Sequence, residues 1–237
     1  MELSSFTLVL MTVTKDICMA SLDPQPNATP KGKQKRDAAA TKARILAAAT
    51  EEFAKYGLAG ARTAAIATQS QVTKAMLCYY FTNKETLYRA VLQRLVSDIN
   101  SAFKPTDWDQ QTPAQALEAM IRAYLTFESQ NRWHGMLWFQ EAIQNQGRYG
   151  EETGWQAGFQ SIVSVLETGM ATGQFRQLDP FLTAINILGV CSFYFDAHEN
   201  LKYLDTQQQL LSPEMVGRQT EEVVRLVLAG VSADPEI

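Results

Sequence analysis

The chain has 237 residues, 46% hydrophobic and 19% charged, with a formal net charge of -4. This composition fits a soluble globular protein of one or two domains, each with a core. No run of 18 apolar residues occurs, which excludes a transmembrane helix, and no membrane partner is expected. Cys18, Cys78 and Cys191 are far apart with no CxxC pair, and His134 and His198 have no ligand-spaced partners. Neither a disulfide scaffold nor a metal site is expected, no cofactor is assigned, and a cytoplasmic protein is expected.

Residues 6–13 are apolar but lack a preceding positive charge and a following small-residue cleavage site, so a secretory signal is not expected. Residues 21–36 are rich in Pro, polar and basic residues. We therefore expect residues 1–36 to form a disordered tail ending in a basic arm, Lys31 to Arg36. Charge is unevenly shared. Residues 31–104 carry 13 Lys and Arg against 5 Asp and Glu, whereas residues 105–237 carry 7 against 17. A basic segment joined to an acidic remainder suggests two jobs, and the basic part is a candidate for nucleic acid.

Helical periodicity dominates the rest. Ile45, Ala49 and Phe53 mark a helix over 39–56, closed by Gly57, with a loop over 57–60. A short helix follows over 62–70, then a turn at Gln71 and Val72. Thr73 caps a two-turn helix reaching Tyr80. Leu87, Val91, Leu95 and Ile99 stripe a longer helix over 84–103. Thr112-Pro113 opens a helix to Gln130, and another covers 133–145. Phe159, Val163, Leu166 and Met170 stripe a helix ending near Gly173. Asp179-Pro180 opens the helix over 181–195, apolar on nearly every side, which predicts that one side meets another chain. Ser212-Pro213 opens the last helix, over 212–229. The expected fold is all-α, about nine helices, with a basic domain of three to four helices over 37–104 and an acidic helical bundle over 105–237.

Two short helices joined by a tight turn inside a basic bundle describe a helix-turn-helix. A recognition helix must present small or polar side chains at its start to enter the major groove. Thr73, Lys74, Ala75 and Met76 are placed to do so. Tyr79, Tyr80 and Lys84 are suited to grip phosphates on either side. Aromatics at helix ends are also common core residues, a role assigned here to Phe81.

Residues 41–92 resemble the DNA-binding domain of the TetR family of bacterial regulators. The resemblance rests on Ile45-Leu46 with Ala48-Ala49 and Phe53, on Gly57, and on Gly60-Ala61-Arg62 with Ile66-Ala67. It continues through Val72-Thr73-Lys74, Leu77, Tyr79-Tyr80-Phe81 and Asn83-Lys84-Glu85 with Leu87. It implies that Arg62, Thr63, Thr73, Lys74, Ala75, Met76, Cys78, Tyr79, Tyr80 and Lys84 lie at a DNA surface. It also implies that the arm, with Lys35 and Arg36, reaches the duplex. The chain departs from the family in two places. Gln71 stands where a turn glycine is usual, at a cost of ~1 kcal/mol for a left-handed residue. Cys78 replaces the first tyrosine of the aromatic set, which removes a phosphate contact and sets a thiol at the DNA face.

The resemblance further implies a C-terminal bundle that binds a small ligand and dimerises through helices 181–195 and 212–229. Trp133, Trp138, Phe139, Trp155, Phe159, Phe193 and Tyr194 are the aromatic candidates for a pocket wall, each also compatible with a plain core role. Arg122, His134, Asn186 and His198 are polar candidates to orient the ligand, which is expected to be apolar or aromatic. No nucleophile–base set, metal cluster or phosphate loop is present, so an enzyme is not expected. The expectation is a homodimeric regulator, a repressor released from a palindromic operator by a small molecule. The alternatives are a TetR-like activator and a non-specific or architectural DNA binder.

Overall fold

The computed structural model describes residues 31–102 and 111–233, with side chains over 37–101 and 111–233. The helices are α1 (Lys31–Gly60), α2 (Thr63–Gln69), α3 (Lys74–Tyr80), α4 (Lys84–Ala102), α5 (Pro113–Gln130) and α6 (His134–Asn145), then α7 (Gln156–Ala171), α8 (Pro180–Asp196), α9 (His198–Leu201) and α10 (Pro213–Val231), with a 3-10 turn, Glu151–Thr153, before α7. Among the described residues the only extended pairing is an isolated bridge between Phe175 and Ser232. The fold is all-α, as expected.

The helix starts are where side chains satisfy the free amides of a first turn. The Met76 amide donates to Thr73, Leu182 to Asp179 and Met215 to Ser212. Thr112 and Gln115 cap each other reciprocally, and proline follows the cap of α5, α8 and α10. Each cap contributes about 1 kcal/mol.

Three boundaries differ from expectation. Helix α1 begins at Lys31, so residues 31–36 carry helical backbone instead of belonging to a tail; residues 1–30 lie outside the described residues. At the far end Gly57, with φ 65° and ψ 179°, kinks α1, and another helical turn replaces the expected loop. That turn forms because it buries Leu58 in the core that also takes Ala61. The four-residue α9 follows α8 almost directly and is too short to leave a periodic signal.

Two cores organise the molecule. The first joins α1 to α4 around Ile45, Phe53, Ile66, Leu77, Phe81 and Leu92, with Phe53 and Tyr88 edge to face at 4.9 Å. The second joins α5, α7, α8 and α10 around Leu117, Leu125, Leu166, Ile187 and Val227. Leu137 of α6 and Tyr149 just beyond it belong to the first core although they follow the 104/105 boundary. So the chain boundary between the two halves is not the packing boundary, and α6 lies against α1.

Helix α8 divides as its composition demands. Ala184, Ile187, Cys191 and Phe195 are buried, whereas Leu182, Ile185 and Phe193 are exposed, Phe193 at 61%. Leu226 of α10 is also 61% exposed.

Candidate nucleic-acid interface and cavity

The first candidate site is the outer face of α2 and α3. Leu77 is the one side chain of α3 that is buried, and it holds the helix to the core. Thr73, Lys74, Ala75 and Met76 are all exposed, and Tyr79 is 84% exposed with its ring edge-on to Tyr80 at 5.4 Å. The turn before α3 is tight without glycine. Gln71 takes φ 56°, and the Val72 amide donates to the Ala67 carbonyl at 3.0 Å. Arg44 Nε on α1 donates to the Ser70 carbonyl at 3.3 Å, so the turn is tied to the first helix.

The remaining candidates on this face separate into groups. Arg62 is exposed, and its backbone N–H is held by the buried Glu52 at 2.9 Å. Thr63 and Cys78 are half-buried and line a narrow crevice together with Lys74, Leu77, Phe81 and Leu87. Lys84 makes contacts within the protein. Its ammonium donates to the Ala59 and Ala61 carbonyls, both at 3.2 Å, which close the end of the α1 extension. Two of its three protons are therefore engaged within the protein. Lys35 and Arg36 lie on the first turns of α1, and their side chains are outside the described residues.

The second candidate site is a cavity of about 630 Å³ between the two cores. Its walls come from α4, α5, α6, α7 and α8, with Ile99, Tyr124, Trp138, Trp155, Phe159 and Leu188 supplying much of the apolar surface. Trp138 and Trp155 meet at 6.5 Å between ring centroids, and Trp155 and Phe159 at 6.3 Å, forming one aromatic wall across α6 and α7. The volume and the apolar lining are typical of a small-molecule site.

Five of the predicted pocket residues, His134, Trp138, Phe139, Trp155 and Phe159, line the cavity. Six do not. Arg122 is drawn away by Glu118 at 2.8 Å on its own helix and Glu221 at 2.6 Å on α10. Trp133 packs towards the first core, with the Arg132 guanidinium 4.2 Å from its ring centroid and the Lys55 ammonium 5.0 Å away. Phe193 lies on the exposed side of α8. Tyr194 turns its hydroxyl to the Leu210 carbonyl. Asn186 is exposed, and His198 is buried with Nδ1 2.7 Å from the Phe195 carbonyl, so neither lines the cavity.

Sequence reasoning missed the cavity's polar floor. Glu128, only 1% exposed, sits 2.5 Å from His134 Nδ1, and Trp138 Nε1 donates to His134 Nε2 at 2.8 Å. Indole is a donor only, so Nε2 must accept. His134 is then the neutral tautomer with its proton on Nδ1, donated to Glu128. Glu141 is equally buried and accepts from the Tyr88 hydroxyl, Asn145 Nδ2 and the amides of Tyr149 and Gly150. Asp196, the last residue of α8, is pressed against α6 where Gly135 leaves room; a Cβ there would lie 1.4 Å from Asp196 Oδ1. Burial, then the neighbouring Glu128 charge, pushes the Asp196 carboxyl up to about 6, against an opposing hydrogen bond from Ser192. The one hint in the sequence was an acid ending an apolar helix.

A helix-turn-helix head whose helices share a wall with a ligand-sized cavity defines a class of DNA-binding transcriptional regulators. Residues 45–91 match the model of the bacterial regulatory proteins, tetR family, and residues 113–227 match the tetracyclin repressor-like C-terminal domain. The chain belongs to the TetR family. It is similar to the transcriptional repressor NicS of Pseudomonas putida, at 27% identity over 175 residues, covering 69% of this chain and 79% of that one. Over 64 residues it is 44% identical to the transcriptional repressor SCO4008 of Streptomyces coelicolor, covering 27% of this chain and 33% of that relative. The regulator RutR of Escherichia coli is 38% identical over 94 residues, 40% of this chain and 44% of its own. The chain thus spans about a third of SCO4008 and under half of RutR. Among solved structures, the transcriptional regulator SCO4942 of Streptomyces coelicolor superposes with a TM-score of 0.65 at 24% identity, over 82% of this chain and 99% of that one. The ketosteroid transcriptional regulator KstR2 of Mycobacterium tuberculosis gives 0.63 at 18%, over 81% and 94%. No helix among the described residues is long and apolar enough to cross a membrane.

Proposed function

We propose that this protein is a homodimeric repressor that binds a roughly palindromic DNA operator and leaves it when a small molecule fills the cavity. The observation that carries this reading is the double role of α6. One face lines the cavity through His134 and Trp138; another packs on α1 of the head, with Leu137 in the head's core and Glu141 accepting from Tyr88 of α4. A ligand that favours one position of α6 therefore favours one position of the recognition helix. The exposed residues Thr73, Lys74, Ala75 and Met76 would read bases, with Tyr79, Tyr80 and Arg62 on phosphates. The exposed apolar stripe on α8, with Leu226 of α10, would bury itself against a second copy and set two heads one helical turn apart on DNA. NicS and SCO4008, both named as repressors, support that direction of control.

The test is selection of bound sites from random duplex DNA, followed by anisotropy titration of the winning sequence at two salt concentrations. A palindrome preferred by a factor of about 10³ or more over random DNA is expected. Salt-sensitive binding with no sequence preference would replace this reading with a non-specific DNA binder.

A further inference from the structure

We propose that the cavity selects an organic cation, an aromatic or lipophilic amine whose ammonium meets Asp196 while its rings lie against Trp138, Trp155 and Phe159. This inference rests on the ligand-controlled reading above and adds the charge of the ligand to it.

The sign of the cavity carries the argument. Asp196, Glu141 and Glu151 line it, and no lysine or arginine is among the lining residues. The buried acids are satisfied without a positive charge. Glu141 takes its hydrogen bonds from a phenol, an amide side chain and two backbone amides, all neutral. Glu128 takes one from His134, which the Trp138 indole holds in its neutral form. Only His134 and His198 oppose this sign near Asp196, and with no lysine or arginine in the lining the three acids leave the cavity negative. Asp196 also closes the C-terminal end of the 17-residue α8, where the helix dipole adds further negative potential. A carboxylate ligand would be repelled by this arrangement and an ammonium attracted.

The aromatic wall completes the recognition. Three rings in successive edge contact border the same space, and the faces of Trp and Phe attract cations. The Asp196 carboxylate is held in place by the notch at Gly135 and by Ser192. Its charged and titratable neighbours are Tyr124 and Glu128 of α5, His134 of α6 and His198 of α9. Protonation of Asp196 in the empty cavity is relieved when a cation arrives, so cation binding should weaken in acid.

The experiment is isothermal titration calorimetry of the full chain with three probes sharing one ring system: 2-naphthylmethylammonium, 2-naphthylmethanol and 2-naphthoate. Near pH 7.5 the ammonium should bind at least about tenfold more tightly than the alcohol, and the carboxylate most weakly. Asp196→Asn, close in shape, should bring the ammonium to within about threefold of the alcohol. In the unaltered protein the ammonium preference should fall about tenfold towards pH 5, because the carboxyl is then mostly protonated. Equal binding of the three probes, tighter binding of the carboxylate, or a preference that survives both Asp196→Asn and acid would overturn the cation assignment and leave the ligand cavity standing. Binding of none of the three would overturn the assignment together with the ligand-controlled reading beneath it.

Discussion

The Tyr88 hydroxyl of α4 donates to Glu141 of α6 at 2.9 Å across the join between the two cores. Neither group meets solvent. The same carboxylate holds the amides of Tyr149 and Gly150, so one buried acid fixes the head helix, the cavity wall and the loop that follows it. Burial and the Glu141 contact raise the Tyr88 phenol far above its usual range, so it remains a donor. Tyr88→Phe should cost about 1.5–3 kcal/mol, the range for a hydrogen bond to a charged group. Glu141→Ala should cost about 3 kcal/mol or more, because it strands two buried amides and a phenol. Urea unfolding measures both. An equal loss in the two variants would show that the loop amides find other partners.

Gly57 meets the same α6 from the other side. It holds φ 65°, and a Cβ there would lie 2.1 Å from the Gln144 side chain. Gly57→Ala should cost about 1–2 kcal/mol. Adding Gln144→Ala should recover only the crowding part, since the backbone strain does not depend on the neighbour. Full recovery in the double variant would show that strain contributes nothing.

On the recognition helix, Lys74→Ala should lower operator affinity by about 1–3 kcal/mol and leave thermal unfolding unchanged, because the side chain is exposed. Lys84→Ala should reduce both affinity and stability, because its ammonium closes the carbonyls of Ala59 and Ala61. Anisotropy titration beside a melting curve separates the two behaviours. A Lys84 variant that melts normally would return that residue to a purely phosphate-binding role.

Asp196 sets a pH dependence of unusual sign. Its carboxyl is raised from 3.8 to about 6 in the folded protein, so between those values the folded state binds more protons than the unfolded chain. Stability from this group is therefore greatest below about pH 4, falls as pH rises towards 6, and is level above that. Because the group keeps some solvent access, the effect should be about 1–2 kcal/mol. Asp196→Asn should be more stable than the parent near pH 7.5 and lose this slope. Denaturant titrations across pH 4–8 read the difference; parallel curves for the two proteins would show that the group is not perturbed.

The exposed stripe of α8 predicts assembly. Leu182, Ile185 and Phe193 recur at helical spacing on its outer side. Ile185→Glu together with Phe193→Glu should convert dimer to monomer in sedimentation velocity without unfolding the subunit, since both side chains are exposed in it. Operator affinity should fall with the dimer, because a single head contacts only one half-site. A double variant that still sediments as a dimer would place the interface elsewhere.

Much of this protein follows from local sequence. The helices from α2 to α8 and α10 were legible because apolar spacing and capping pairs, such as Thr112-Pro113 and Asp179-Pro180, act within one or two turns. The exposure of Thr73 to Met76 was legible because a two-turn helix must bury something and only Leu77 is buried. The apolar surround of α8 was legible too, but not which side faces out: Phe193, assigned from sequence to a pocket wall, is exposed. What the tertiary structure alone decided concerns groups that meet from distant parts of the chain. No pattern within α4 or α6 tells that Tyr88 would reach Glu141, that α6 would join the head's core, or that Asp196 would settle into the notch at Gly135. Aromatic residues show the same limit. Trp133 and Trp138 are five residues apart in one segment, yet one packs on the head and the other lines the cavity. A helix assigns each side chain a direction, and only the packing of its neighbours determines what lies there.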